Sequence, residues 1–193
     1  MTKQEYDLET HPWPPFIPKE AKLLIMGTFP PGPHRWSMDF YYPNRNNDFW
    51  KIFGECFFND ASALIIEGTK DYNLPKIKKI LNEKGIALND TGHVVRRLKG
   101  NASDKFLEIV EPVNLAALLE RMPDCKAIAT TGEKAAGVIA GLTGTQIPKI
   151  GDFEIMANGI KVWRMPSTSR AYPLKMSVKA EYYRKLFEDT GIL

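Results

Sequence analysis

Short apolar runs, each stopped by glycine or by a cluster of turn residues, alternate along the chain with stretches whose apolar positions recur every three or four residues. Lys22 to Met26, Ile86-Ala87-Leu88 and Lys126 to Thr130 have the length and continuous apolar character of strands covered on both faces of a parallel sheet. Phe153 to Met156 and Ile160 to Met165 flank Asn158-Gly159, a pair that favours the tight turn of a hairpin. Between these runs the spacing predicts helices. Asp48 to Phe57 carries Phe49, Phe53 and Cys56 or Phe57 on one face, with Asn46 or Asn47 as its cap. Pro75 opens a helix through Lys84 that Gly85 stops. Asn114 caps one bearing Leu115, Leu118, Leu119 and Met122, and Glu133 to Leu142 is a helix of small residues that can lie close to a sheet. Ser177 to Asp189 is the last, with Val178, Tyr182, Leu186 and Phe187 inward. Arg96 to Ser103 reads as a basic, polar loop, with Ser103 capping a short helix through Ile109. Residues 59–73 carry little signal.

This alternation predicts a three-layer α/β/α sandwich with a central, mostly parallel four-stranded sheet. At 193 residues, with no internal repeat and no long linker, the chain reads as one domain over residues 1–193. Residues 1–21 stand apart. Four prolines in seven residues from Pro12 impose an extended path, with Trp13 and Phe16 as anchors on the body; a ligand for a partner's Pro-binding groove is the alternative. Cys56 and Cys125 lie in apolar surroundings without metal-ligand spacing and read as reduced core residues. No run approaches the ~20 apolar residues of a membrane span, so a cytoplasmic protein, a monomer without membrane contact, is expected. A net charge of +3 permits contact with nucleic acid without requiring it.

Candidate chemistry concentrates in two loops, each following a strand. The first runs from Gly27-Thr28-Phe29-Pro30-Pro31-Gly32 to Tyr41-Tyr42-Pro43-Asn44-Arg45-Asn46-Asn47-Asp48-Phe49-Trp50. The second is Met165-Pro166-Ser167-Thr168-Ser169-Arg170-Ala171-Tyr172-Pro173. Open α/β sheets bind ligands outside the carboxyl ends of their strands, so two neighbouring strands would bring both loops over one crevice. A Gly- and Pro-rich strand end offers backbone N–H groups there, and Phe29, Tyr41 and Tyr42 offer flat faces for stacking.

These residues, in this order, resemble the uracil-DNA glycosylase superfamily, most of all its hypoxanthine-DNA glycosylase branch. The resemblance rests on Gly27-Thr28-Phe29-Pro30, on Tyr41-Tyr42 with Asn47-Asp48-Phe49-Trp50 downstream, and on Met165-Pro166-Ser167-Thr168-Ser169. The succession of Gly85 to Asp90, Arg97, Ser103-Asp104 and Thr131 to Ala135 is similar too, so the likeness spans residues 22–172. It implies hydrolysis of the bond between a deaminated base, hypoxanthine or uracil, and deoxyribose, after the nucleotide is flipped out of DNA. Neither metal nor organic cofactor is implied.

The resemblance also implies roles. Gly27, Thr28, Phe29, Pro30, Tyr41, Tyr42 and Met165 would form the base pocket, with the Thr28 and Phe29 N–H groups in its wall. Ser167, Thr168, Ser169, Arg170, Tyr172 and Arg97 would contact DNA, and Arg170, Tyr172 or Leu174 would enter the duplex. Arg96 and Lys99 are further candidates for phosphates. The chain departs from the family twice. Phe29 stands where uracil-specific members carry Asp or Asn, and Met165 where many relatives carry His. In the hypoxanthine branch the Asn of the Asn-x-Phe-Trp element takes the catalytic role, and the resemblance puts Asn47 in that place; an amide can hold water through its carbonyl or a base edge through its NH₂. No lysine marks a Schiff-base nucleophile, so a monofunctional enzyme is expected. The two departures keep in view a silent relative that binds DNA or altered bases; a hydrolase of small nucleotides or nucleosides using the same crevice is a separate alternative.

Overall fold

The computed structural model describes residues 7–99 and 104–193. Among these, β2 (Leu23–Gly27), β3 (Ile86–Asp90), β6 (Ala127–Thr131) and β8 (Lys161–Met165) pair in parallel in the order β3-β2-β6-β8. A fifth strand, β7 (Asp152–Ile155), joins antiparallel at the β8 edge, so the sheet has five strands rather than the expected four. The reason is local. The turn at Asn158-Gly159 folds the first arm of the hairpin back onto β8, and the sheet gains that arm as a strand.

The side-chain alternation of β2 sorts the two faces. Leu23 and Ile25 point to a layer made by α1 (Phe49–Phe58), α2 (Leu74–Lys84) and α5 (Met176–Asp189). Leu24 and Met26 point to α3 (Leu115–Glu120) and α4 (Glu133–Thr143). Every residue of β2 and β3 is buried, as strands covered on both faces must be. The caps follow chemistry: Asn73 and Asn114 accept from the N–H groups of Lys76 and Ala117, and Gly85 ends α2 in the left-handed conformation that favours glycine. Ala135, Ala136 and Ala140 of α4 are buried where that helix lies on the sheet.

Arg96 and Arg97, at the start of the expected basic loop, end a strand, and a second strand begins at Leu107 where the helix through Ile109 was expected. β1 (Leu8–Thr10), β4 (Gly92–Arg97) and β5 (Leu107–Pro112) form a separate antiparallel sheet, order β1-β4-β5. A single 3₁₀ turn, Asp104–Phe106, precedes β5, and Ser103 lies outside the described residues. Buried Leu107 beside exposed Glu108, and buried Val95 between partly exposed neighbours, show the period-two pattern that short polar strands give weakly. The Pro-rich segment is anchored as expected. Phe16 exchanges two backbone hydrogen bonds with Leu88, at 3.0 and 2.9 Å, and so covers the β3 edge. Trp13 donates to Asp39 at 2.6 Å and packs on Trp36. Both cysteines are free and buried.

Candidate active site

Gly27, Asp90, Thr131 and Met165 close four parallel strands at the same end of the sheet. The chain leaves β2 for β3 on one side, while β6 lies on the other, and such a change of direction opens a crevice. Glycine is required at its floor. A Cβ at Gly27 would lie 2.8 Å from Asp90 Oδ1, 3.2 Å from the Tyr42 hydroxyl and 3.5 Å from Thr131 Oγ1. Three oxygens of different acidity therefore converge on one backbone position. Tyr42 is held there at some cost, with φ of 52°, its ring stacked on Phe49 at 3.6 Å and its hydroxyl 3.0 Å from Thr131 Oγ1.

Asp90 has a partner that sequence reasoning missed. His11, on the Pro-rich segment, donates from Nε2 to Asp90 Oδ2 at 2.9 Å, and its Nδ1 lies 2.8 Å from the Trp13 carbonyl. The two side chains are 5% and 8% exposed, which makes this a buried pair rather than a surface one. The His11 ring stacks on Tyr41 and meets the edge of Phe29. Burial opposes its charge, yet the hydrogen bond and charge of Asp90 outweigh that, so the imidazole pKa is raised above 6.5. Burial first and the Asp90 charge second push the Tyr41 and Tyr42 phenols up, so both remain neutral hydroxyls. In the sequence His11 was one more residue of a proline run, and its partner stands 79 positions away.

The two loops meet although their strands are not the neighbours that were expected, since β6 lies between β2 and β8 and the loops reach across its end. Asn47 and Ser169 form an antiparallel bridge, and the Asp48 N–H donates to the Thr168 carbonyl at 2.8 Å. Lys179 of α5 locks the junction from beneath. Fully buried, its ammonium donates to Asp48 Oδ2 at 2.9 Å and to the Ser169 carbonyl at 2.8 Å. Asp48, rather than Asn46 or Asn47, occupies the cap position of α1; Asn47 contributes by accepting the Phe49 N–H on its Oδ1 at 2.9 Å, because its bridge to Ser169 sets it one residue outside the helix. Ser167 and Ser169 stiffen their turn by accepting from Ser169 and Ala171 N–H groups. Arg170 is exposed and donates to Asn46 Oδ1 at 3.3 Å. Nearby Lys51 has its pKa lowered by burial and by the Arg170 charge. Two cations are thus held close together at the rim. Tyr172 is half-buried, with the Lys179 ammonium 5.9 Å from its ring centre.

Other expected residues sit deeper or are already engaged. Tyr41 is 1% exposed and Met165 fully buried, both in the core beneath the crevice, whereas Phe29 and Tyr42 keep part of their surface. Thr28 donates to Asp104 Oδ2 at 3.0 Å, and Pro30 is buried. Arg97 donates to Glu9 and to the Pro30 carbonyl, each at 2.7 Å, and lies over the Phe29 ring. In this structure its partners fix the first loop. Arg96 pairs with Glu108. Two surface hollows of about 460 Å³ lie elsewhere, one at the amino ends of β2 and β6, the other an apolar groove between α3, Leu142 and Met156. Among the described residues no cluster of three or more His, Cys, Asp or Glu is arranged to hold a metal ion.

Helices lie on both faces of a mostly parallel sheet, and the polar side chains of Asp90, Thr131 and Tyr42 gather around Gly27 at its carboxyl end. A solution NMR structure from Methanosarcina acetivorans, described as a candidate uracil DNA glycosylase, shares this fold. Its TM-score is 0.65 at 22% identity, over 93% of this chain and 99% of that one. The chain matches no protein-family model and no curated protein sequence.

Proposed function

We propose that this protein is a DNA glycosylase of the uracil-DNA glycosylase superfamily that removes a deaminated base, hypoxanthine or uracil, from DNA by hydrolysis. The observation that carries the reading is the junction of the two loops at the carboxyl end of the sheet, through Asn47, Asp48, Thr168 and Ser169. The shared fold of a protein described as a candidate uracil DNA glycosylase supports it.

The chemistry follows from what a glycosidic bond needs in order to break. The departing base carries negative charge, and each donor already aimed at it is worth about 3 kcal/mol. Thr28 and Phe29 N–H groups and the Asn47 NH₂ are the proposed donors. Phe29 and Tyr42 are the proposed stacking faces, a contact worth roughly 1–3 kcal/mol per base. Arg170, beside Lys51, is the proposed phosphate contact, with the Ser167 and Ser169 hydroxyls near it. Asn47 keeps the catalytic assignment, as a group that orients the base or the water.

Abasic-site formation on duplexes containing hypoxanthine, uracil, xanthine or mismatched thymine tests this reading. Product from at least one of the first two is expected, and Asn47→Ala is expected to slow turnover far more than it weakens binding. No product and no DNA affinity would overturn it. The buried Met165 and the Phe29 departure favour a second reading, a silent relative, which DNA affinity without product on any duplex would select.

A further inference from the structure

We propose that Asp90 is the carboxylate that directs the attacking water in this crevice, and that His11 is its positioning residue. The inference rests on the glycosylase reading and goes beyond it, because that reading leaves the water without a base. Asn47 already accepts the Phe49 N–H on its amide oxygen, so the group it presents for new contacts is chiefly a donor. Phe29 offers no lone pair. Asp90 does: one carboxylate oxygen is fixed by His11 at 2.9 Å, and the other lies against Gly27 at the crevice floor, where a Cβ would come within 2.8 Å of it. The Tyr42 and Thr131 hydroxyls converge on the same position and can orient a second hydrogen or lone pair of the water.

His11 is built to hold Asp90 whatever its own charge. With both ring nitrogens protonated, Nε2 donates to Asp90 and Nδ1 to the Trp13 carbonyl. When Nδ1 is bare, the Trp13 N–H lies 3.3 Å from it as a donor. Phe29 and Tyr41 pack on the ring and keep it in place. In the step itself the water oxygen bonds to C1′ as the C1′–N bond breaks, its electron pair leaving on the base. One water proton passes to Asp90 Oδ1, and the base takes a proton from solvent. No oxidant, metal or covalent enzyme intermediate enters.

The test uses the full chain, with single-turnover cleavage of hypoxanthine and uracil duplexes, duplex affinity by anisotropy, and the His11 titration by NMR. Asp90→Asn is expected to slow cleavage about 100-fold or more, the ordinary worth of a positioned base, with affinity changed less than about threefold. The His11 midpoint should fall in that variant. The titratable groups facing the pair, Tyr41, Tyr42 and Asp104, are left in place, as is Arg97 over the Phe29 ring that packs on His11. His11→Gln, which retains a donor, should lose less than Asp90→Asn and lose it in kcat rather than KM. If Asp90→Asn does not fold, this His11→Gln split decides. Wild-type rates in both variants, with wild-type activity present, overturn the inference and leave the glycosylase reading standing. A wild-type protein that cleaves neither duplex overturns both, and the His11 titration then reports only a buried ion pair.

Discussion

At the scale of single residues the crevice end of the sheet is held by contacts that tolerate little change. Gly27→Ala places a methyl group 2.8 Å from Asp90 Oδ1, and overpacking of this kind costs about 1–3 kcal/mol, so a lower urea midpoint is expected together with slower cleavage. Lys179 is a stronger case, because its ammonium is fully buried against Asp48. Lys179→Met should cost about 3–5 kcal/mol by leaving Asp48 buried without a partner, and adding Asp48→Asn should recover part of that in a double-mutant cycle. The His11–Asp90 pair gives a pH dependence with a definite sign. The folded-state pKa of His11 lies above its unfolded value of 6.5, so the pair's contribution is complete below about pH 6.5 and is lost as pH rises through the folded-state value. Denaturation midpoints measured on either side of that window should fall toward alkaline pH, and Asp90→Asn should flatten the step.

At the scale of elements, the Pro-rich segment acts as a strap over the β3 edge as well as the carrier of His11. Its hold on the sheet is the Phe16–Leu88 bridge, with the Phe16 ring edge-on to Phe40. Phe16→Ala is expected to cost about 2 kcal/mol, less than for a fully buried ring, and to speed hydrogen exchange at the Leu88 amide. Helices and parallel strands were readable in advance because each has a covered face, and cover imposes a strong period. The sheet β1-β4-β5 was not. Its strands are half-exposed, rich in Arg and Glu, and paired across distances that local spacing does not encode, as in Leu8 with Arg96. The hairpin arm before Asn158-Gly159 was legible, but not its place as a fifth strand of the main sheet, because Asp152, Glu154 and Ile155 are exposed on an edge and carry no sign of which sheet they extend.

At the scale of the whole molecule, three arginines of the loops and strands at this end are already paired, Arg45 with Asp71, Arg96 with Glu108 and Arg97 with Glu9. Arg170 instead meets the neutral amide of Asn46, with Lys51 nearby. Duplex binding should therefore weaken with salt through a small number of contacts. Arg170→Ala is expected to reduce the slope of log K against log salt by about 1, measured by anisotropy titration at several salt concentrations. A variant slope equal to wild type would remove Arg170 from the phosphate contacts.

The sequence by itself determined the buried strands, the helices that cover them and the two loops at their ends, because burial repeats with the period of each element and glycine and proline mark the stops. It also carried the order of residues on which the resemblance to uracil-DNA glycosylases rests. Only the tertiary structure decided how the stretch from Gly27 to Asn47 is used. Tyr41 belongs to the core, Tyr42 turns over Gly27, Asn47 joins Ser169, and Asp90 stands against Gly27 in the grip of His11. Those assignments depend on contacts between residues tens of positions apart, and only the packed chain brings them within hydrogen-bond distance.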